Sequence, residues 1–277
     1  MERIFVGSEA LAAGAVTPFE LRQHYRRPLH DVYGPRRGAL TLDERAVAAW
    51  LWSKREGVVS GVAASAVLGA KWVDVATPIE LNWANNRSPA GVITRRDTLL
   101  DGEVMIIDDL PVTTADRTAF DLARRGPVGQ AVARLDALAR ATHFKVDDVQ
   151  ALSLRHPRVM GLRRTAQVLD LVDAGAESPK ETWLRLLLID AGFPRPETQI
   201  PVLDPDGYPR YHLDMGWEDM MIAVEYDGDD HRERPRWGRD IKRAEYLAYL
   251  GWTHIRVVAG DRGPEIIHRV SRAWALR

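Results

Sequence analysis

The chain has 277 residues, of which 45% are hydrophobic and 28% charged, a composition typical of globular proteins that excludes disordered, collagen-like and disulfide-stapled classes. It contains no cysteine, which excludes disulfides, zinc ribbons, iron–sulfur clusters and thiol catalysis. The net charge of −1, from 38 basic and 39 acidic residues, gives no overall indication of nucleic-acid binding.

The first 175 residues are predicted to form a mainly helical α+β domain. The predicted helices are residues 8–13, 17–25, 41–55, 62–68, 114–125, 128–141, 146–155 and 162–174, and the predicted strands are 28–33, 78–83, 91–96 and 104–107. Residues 57–70 are the longest uncharged stretch at 14 residues, whereas a bilayer span needs about 20. We therefore expect no membrane association. The N-terminus lacks a secretory pattern and the chain lacks cysteine, so we expect a cytoplasmic protein.

The pattern changes after a break at residues 175–178. The predicted elements that follow are a helix at 178–191, strands at 198–203, 211–217 and 221–226, a helix at 240–250, a strand at 253–258 and a helix at 264–275. Trp183 and Trp252 are predicted core residues. The order αβββαβα indicates a complete α/β domain, so we expect domains at 1–175 and 176–277.

Charge is concentrated in the second predicted domain. Residues 201–230 contain nine acidic residues and one arginine, and residues 231–243 carry six basic against two acidic residues, a net +4. A negative cluster beside a positive segment suits a metal-dependent enzyme that acts on a polyanion. A solvated surface of mixed charge is the alternative, and charge alone favours it.

Two carboxylates are predicted to face each other across a hairpin. A four-residue loop between the second and third strands places Asp214 opposite Glu225 and Gly216 opposite Ala223. Directly opposed side chains have Cβ atoms about 4.5–5.5 Å apart, and two carboxylates there repel unless a cation lies between them. The small neighbours leave room for an ion. Mg²⁺ often takes one or two carboxylates with water and substrate phosphate, and solvent-facing acids are the alternative.

The residues after the third strand carry a specific resemblance. The segment Glu225-Tyr-Asp227-Gly-Asp-Asp-His231 is followed by Asp240-Ile-Lys-Arg243, Leu247, Gly251-Trp252 and Arg256-Val257. This pattern, together with residues 178–181, Gln199 and residues 213–214, resembles uncharacterised proteins with a very-short-patch-repair-like endonuclease domain of the PD-(D/E)xK superfamily. The match covers about residues 176–277. It implies a restriction-endonuclease-like fold and a metal-dependent hydrolase that cleaves DNA.

The resemblance also implies a set of metal ligands. Asp214 and Glu225 would bind Mg²⁺ or Mn²⁺, with the backbone carbonyl of Tyr226 as a further ligand. Asp227 stands where the superfamily usually has lysine, and His231 could position the attacking water in its place, although a loop histidine is the alternative.

Other residues have proposed roles around this centre. Glu181 lies where the superfamily often has a supporting acid, although its capping pattern with Ser178 also explains it. The basic segment offers four arginines as phosphate ligands, since arginine binds phosphate bidentately. They are Arg232, Arg234, Arg236 and Arg239.

The upstream region resembles the N-terminal part of AbiEi-like antitoxin proteins of the actinobacterial type, most clearly at residues 113–124. Such relatives begin with a winged helix, and this chain's version is short. The resemblance implies DNA or partner recognition by residues 1–175. Two further functions stay open. The first is a non-catalytic DNA-binding regulator, or antitoxin-type protein, that uses the nuclease-like domain as a binding platform. The second is a module that binds a toxin or another neighbouring-gene product.

Overall fold

The computed structural model describes residues 3–85, 87–228 and 234–277, with the backbone alone described at 234–240. The described residues form a mixed α/β structure with three sheets, which confirms the predicted α/β class. They divide into two compact units. The first unit comprises Met1–Gly126 and Ala141–Asp170, and the second comprises Pro127–Arg140 and Leu171–Arg277.

The first unit contains two sheets and the helices that cover them. Its helices are α1 (Gly7–Ala12), α2 (Pro18–His24), α3 (Leu42–Trp52), α4 (Gly61–Val67), α5 (Ala115–Ala123), α7 (Val146–Leu154) and α8 (Leu162–Asp170). Its strands are β1 (Phe5–Val6), β2 (Tyr25–Leu29), β3 (Val32–Pro35), β4 (Val58–Ser60), β5 (Ile79–Asn82), β6 (Val92–Arg95), β7 (Val104–Ile107) and β8 (Leu110–Thr113). The sheet orders are β1-β3-β2 and β6-β5-β4-β8-β7.

The predicted strand at 28–33 is two strands, because the chain turns at Asp31. Asp31 has a left-handed backbone (φ 59°), and its carboxylate accepts hydrogen bonds from the Ser8 amide at 3.0 Å and the Ser8 hydroxyl at 2.5 Å. Aspartate tolerates this conformation and stabilises turns through such bonds. The strands that prediction missed, β1, β4 and β8, have two to four residues, too few to show a period of two.

A buried ionic cluster fixes α5 in the first unit. Arg117 is 1% exposed and donates to Glu103 at 2.5 Å and to Asp121 at 3.2 Å. Glu103 also lies 2.7 Å from the ring of His156, and Asp121 accepts from Arg124 at 2.8 Å. Buried charges need such partners. The residues that carried the antitoxin-like resemblance therefore have a structural role in this cluster.

The second unit is a four-stranded sheet with helices on both faces. Its strands are β9 (Glu197–Leu203), β10 (Pro209–Trp217), β11 (Ile222–Asp227) and β12 (Thr253–Val258), and its helices are α6 (Val128–Thr142, assigned to this unit as far as Arg140), α9 (Pro179–Asp190), α10 (Arg234–Tyr249) and α11 (Gly263–Trp274). The sheet order is β12-β11-β10-β9, antiparallel except for the parallel pair β11–β12.

Two apolar clusters cover the faces of this sheet. One joins α9 and α11 to the sheet through Leu184, Leu188, Met215, Val224, Ile266 and Val270. The other joins α10 to the opposite face through Ile200, Leu213, Ala223, Leu247 and Trp252. Trp252 is therefore a core residue, as predicted, whereas Trp183 is 41% exposed and its predicted core position is wrong.

The segment Pro127–Arg140 belongs with the second unit because a buried ion pair ties it to α9. Asp136 accepts hydrogen bonds from the Arg185 guanidinium at 2.8 Å, the Thr182 hydroxyl at 2.8 Å and the Asp173 amide at 2.7 Å. The Arg185 side chain is 0% exposed. Sequence patterns had placed this segment upstream of the boundary at residue 175, because an ion pair across 49 residues leaves no local signal.

No helix in the described part of the chain combines the length and apolar character that crossing a bilayer requires.

Candidate functional site

The predicted hairpin register is present between β10 and β11. Met215 pairs with Val224 and Gly216 with Ala223, so Asp214 and Glu225 are the next residues along the two strands. The Asp214 carboxylate accepts a hydrogen bond from the backbone N–H of Tyr226 at 3.1 Å. Asp214 is thereby held against the strand that carries Glu225.

The alternation predicted for β10 breaks at Asp214. Leu213 packs with Ala223 on the α10 face, whereas Met215 packs with Val224 on the α9 face. Strict alternation along residues 211–217 predicts that Leu213 and Met215 share one face, and the structure shows that this prediction is wrong. Across from this point β9 has a left-handed residue, Gln199 (φ 53°), between Ile200, which pairs with Leu213, and Thr198, which pairs with Met215.

Asp214 lies in an environment that disfavours its charge. Burial raises the pKa of Asp214 to about 7, and the negative charges of Glu225 and Glu181 act in the same direction. The Tyr226 N–H and the Arg243 guanidinium lower this pKa by smaller amounts. The described residues thus place three acidic side chains in electrostatic contact at one point of the second unit.

Glu225 is held by two cationic or ionisable partners. It is 8% exposed, and one carboxylate oxygen pairs with Arg243 while the other lies 2.6 Å from Nε2 of His254. Arg243, on α10, also donates to the backbone oxygen of His212 at 2.8 Å, so its side chain is held by contacts with both β10 and β11. Both oxygens of Glu225 are oriented by these partners.

Sequence reasoning missed His254. It lies on β12 in parallel register with Ala223, two positions before Arg256, which is in register with Glu225. A polar residue beside the buried Ile255 in a predicted strand was the available signal, but the parallel pairing of β12 with β11 across α10 could not be aligned from sequence.

The other acidic candidates have partners of their own. Asp227 forms an ion pair with Arg256. Glu181 is 8% exposed and accepts from the Ser178 hydroxyl and the Glu177 amide, each at 2.8 Å. Burial raises the pKa of Glu181 as well. Glu181 therefore stabilises the start of α9 and also contributes charge at Asp214.

The predicted basic segment is only partly described. His231 and Arg232 lie outside the described residues. Arg234, Arg236 and Arg239 belong to α10, which begins at Arg234 rather than at residue 240 as predicted, and their side chains lie outside the description. Pro235 lies in the first turn of this helix, where proline is tolerated.

The donor set is compatible with a hard cation. Among residues 3–85, 87–228 and 234–277, no three His, Cys, Asp or Glu side chains are grouped so as to hold a metal ion. Asp214 and Glu225 provide two carboxylates, which is a usual protein contribution to Mg²⁺. A carboxylate has about four acceptor positions, so the contacts of Glu225 leave lone pairs for an ion. The backbone oxygen of Tyr226, the residue after Glu225, is the third ligand that the family resemblance implies.

The sequence is similar to mycobacterial proteins that are described as uncharacterised. No family model matches the sequence. Two uncharacterised proteins of Mycobacterium tuberculosis, Rv2248 of strain H37Rv and MT2308 of strain CDC 1551, are each 32% identical over 145 residues, which is 52% of this chain and 53% of each relative. The chain thus spans about half the length of the curated relatives it matches.

One solved structure is also similar. The crystal structure of Rv2827c from Mycobacterium tuberculosis matches 74% of this chain and 85% of that protein, with a TM-score of 0.43 and 16% identity.

Proposed function

We propose that the second unit is a restriction-endonuclease-like domain of the PD-(D/E)xK superfamily and a metal-dependent endonuclease that hydrolyses phosphodiester bonds in DNA. The observation that carries the proposal is the position of Asp214 beside Glu225 in the central hairpin, where burial and neighbouring acids raise the pKa of Asp214 to about 7. The element order α9-β9-β10-β11-α10-β12-α11 supports it. Excess negative charge at one buried point is relieved by a bound cation.

Asp214, Glu225 and the backbone oxygen of Tyr226 would hold Mg²⁺ or Mn²⁺. When bound, such an ion supplies Lewis-acid stabilisation of a cleaved phosphate and lowers the pKa of water. The chain's own contribution is orientation. The Tyr226 amide fixes Asp214, while Arg243 and His254 fix the two oxygens of Glu225. Such partners of ligating carboxylates determine ligand direction and affinity.

The residues around the ligands have separate proposed roles. Glu181 adds negative charge at Asp214 and so strengthens attraction for a cation. His231 is proposed to position water in place of the superfamily lysine. Asp227 takes a supporting role through its ion pair with Arg256.

Contacts with DNA are proposed from both units. In the second unit, Arg232, Arg234, Arg236 and Arg239 would bind phosphates. In the first unit, residues 22–37 contain five arginines and one acid. These arginines, none of which forms an ion pair within the described part of the chain, are Arg22, Arg26, Arg27, Arg36 and Arg37. The AbiEi-like first unit would therefore recognise DNA or a toxin partner, in the cytoplasm.

A second candidate function is a DNA-binding regulator or antitoxin-type protein in which the nuclease-like unit binds without cleaving. The observation that favours it is the pairing of both Glu225 oxygens with Arg243 and His254, which already neutralises this carboxylate. The two candidates share DNA binding and differ in metal affinity and cleavage.

Calorimetric titration with Mn²⁺ and a DNA-nicking assay separate them. The wild-type chain is compared with Asp214→Ala/Glu225→Ala and with the matched control Glu218→Ala/Glu245→Ala, which removes two exposed carboxylates of the same unit. The proposal expects metal binding and nicking in the wild type and control, with both absent in the site variant. Absence of metal binding in the wild type, with DNA present, would make it wrong and leave the regulator.

A further inference from the structure

One edge of the five-stranded sheet in the first unit is apolar and exposed. β7 (Val104–Ile107) is the last strand in the order β6-β5-β4-β8-β7, so within the described residues one of its sides has no neighbouring strand. Val104 is 38% exposed, Met105 39% and Ile106 61%, whereas Val112 of β8 is fully buried. Successive side chains of a strand point to opposite faces, so β7 is exposed on both faces as well as along its edge.

Most proteins protect such an edge, because its unpaired N–H and C=O groups can pair with a strand of another chain. Lysine, proline and bulges are common means of protection. β7 is short, but it contains no charged residue and no proline, and its register with β8 runs without a shift from Val104↔Thr113 to Ile107↔Leu110. An exposed apolar strand of this kind indicates a partner that covers it.

The hairpin geometry determines which backbone groups of β7 face outward. Both residues of the loop 108–109 have left-handed backbones (φ 46° and 65°), as two-residue hairpin turns require. The pair that flanks such a loop is hydrogen-bonded, and the pairs then alternate. Ile106 is in the second pair, opposite Pro111, which has no N–H to donate. The N–H and C=O groups of Ile106, and by alternation those of Val104, therefore point to the free edge.

Acidic side chains flank β7 at both ends. Asp101 precedes the strand, Asp108 and Asp109 follow it, and all three are exposed. Throughout the described ranges none of these carboxylates forms an ion pair, and Arg155 donates only to the backbone oxygen of Asp101, at 3.3 Å. A strand with lysine or arginine at its two ends would complement this charge, whereas a strand with acidic ends would be repelled.

The same acids disfavour a second copy of the chain on this edge. An interface between identical patches is two-fold symmetric, so two β7 strands would pair antiparallel about Met105. That register brings Asp109 of each copy opposite Asp101 of the other. Like charges directly opposite each other destabilise a strand pair, and here the repulsion would occur twice.

We infer that the free edge of β7 binds an extended apolar segment of another protein that carries basic residues at both ends, and that this segment adds a sixth strand to the sheet. Main-chain hydrogen bonds to Val104 and Ile106 would supply affinity, and the flanking charges would supply specificity. The surface belongs to the first unit, and the inference does not depend on the proposed endonuclease activity.

A synthetic peptide tests the edge on the full chain. The probe is a capped peptide of alternating valine and threonine with two lysines at each end, and the matched peptide has glutamates in place of the lysines. NMR titration at low ionic strength measures the affinity. Hydrogen exchange measures the protection of the Val104 and Ile106 amides.

Three variants separate the backbone and charge contributions. Ile106→Pro removes an outward N–H, a change that edge strands tolerate. Asp108→Asn/Asp109→Asn removes two charges and keeps residues that accept a left-handed backbone. Leu154→Ser is the control, since it alters an 81% exposed apolar side chain of α7 in the same unit. Circular dichroism confirms that each variant folds.

The lysine-flanked peptide is expected to bind the wild type and to slow exchange of the Val104 and Ile106 amides. Ile106→Pro should weaken binding by at least about 5-fold, which corresponds to one main-chain hydrogen bond. Asp108→Asn/Asp109→Asn should weaken it by about 2- to 10-fold, and this difference should disappear at high salt. Leu154→Ser should bind as the wild type does.

No binding of the lysine-flanked peptide, equal binding of both peptides, or binding without protection of the Val104 and Ile106 amides would each overturn the inference. Self-association of the wild type that Ile106→Pro abolishes would also overturn it, because a second copy would then cover β7. None of these measurements involves Mn²⁺ or DNA, so failure here leaves the endonuclease proposal standing, and failure of cleavage leaves this inference standing.

Discussion

Replacing Asp136 by alanine removes the partner of a guanidinium that has no access to water. Arg185 is 0% exposed and donates to Asp136 and to the backbone oxygen of Leu171, each at 2.8 Å. In the variant it keeps the carbonyl contact and loses its counter-charge. The Thr182 hydroxyl and the Asp173 amide lose their acceptor as well.

The expected loss is large because a buried charge is left uncompensated. Removal of one partner of a buried ion pair costs about 3–5 kcal/mol in the free energy of unfolding. Replacing both partners together is far less costly, since hydrophobic side chains of similar size avoid the desolvation penalty. The double variant Asp136→Leu/Arg185→Met is therefore expected to regain most of the loss.

Urea titration followed by circular dichroism measures these free energies on the full chain. The matched control is Glu177→Ala, which breaks an ion pair between two exposed side chains, Arg140 at 43% and Glu177 at 51%. Its loss should lower the free energy of unfolding by at most about 1 kcal/mol. A loss below about 1 kcal/mol for Asp136→Ala, or no recovery in the double variant, would refute the argument that this pair joins residues 127–140 to the second unit.

Three more outcomes are expected. His254→Ala should weaken Mn²⁺ binding in calorimetry by about 10- to 100-fold, because one oxygen of the Glu225 carboxylate loses the partner that orients it. His268→Ala, at an exposed histidine, should leave the affinity unchanged, and equal affinities of His254→Ala and the wild type would remove His254 from the site. The pKa of Asp214 is raised to about 7 in the folded protein, so the free energy of unfolding in EDTA should fall as pH rises from about 4 to 7. Asp214→Asn should make this fall less steep, and the same slope in both proteins would contradict the assignment. Gly216→Ala should lower the free energy of unfolding in urea titration by about 1–3 kcal/mol, because an added Cβ would lie 2.3 Å from a backbone oxygen of the facing strand. Gly129→Ala should not, because the nearest atom to its added Cβ is 3.8 Å away. A stable Gly216→Ala protein would show that the hairpin is not packed this closely.

Local patterns predicted the second unit well. Its four strands and the helices α9 and α11 lie within a few residues of where the periods of two and 3.6 placed them, whereas α10 begins at Arg234 rather than at residue 240. The short loop between β10 and β11 fixed the pairing of Gly216 with Ala223. Hairpin register depends on neighbouring residues alone. The approach of Asp214 to Glu225 was therefore open to prediction.

Contacts between distant segments could not be predicted in the same way. His254 reaches Glu225 across a parallel strand pair joined through α10, and Asp136 reaches Arg185 from a segment 49 residues away. Neither contact leaves a period in the sequence. The exposure of Trp183 was equally hidden, because its helix buries Leu184 and Leu188 and a tryptophan between apolar residues favours a core assignment.

The interrupted course of the second unit affects the order in which the chain can fold during synthesis. Residues 127–140 leave the ribosome before residues 141–170, which complete the first unit, and well before their own partners in Leu171–Arg277. At about 5–20 residues per second, the last strand and helix emerge on the order of ten seconds later. A nascent chain stalled near residue 170 would therefore hold Asp136 without Asp173, Thr182 and Arg185, the residues that bind its carboxylate in the folded protein.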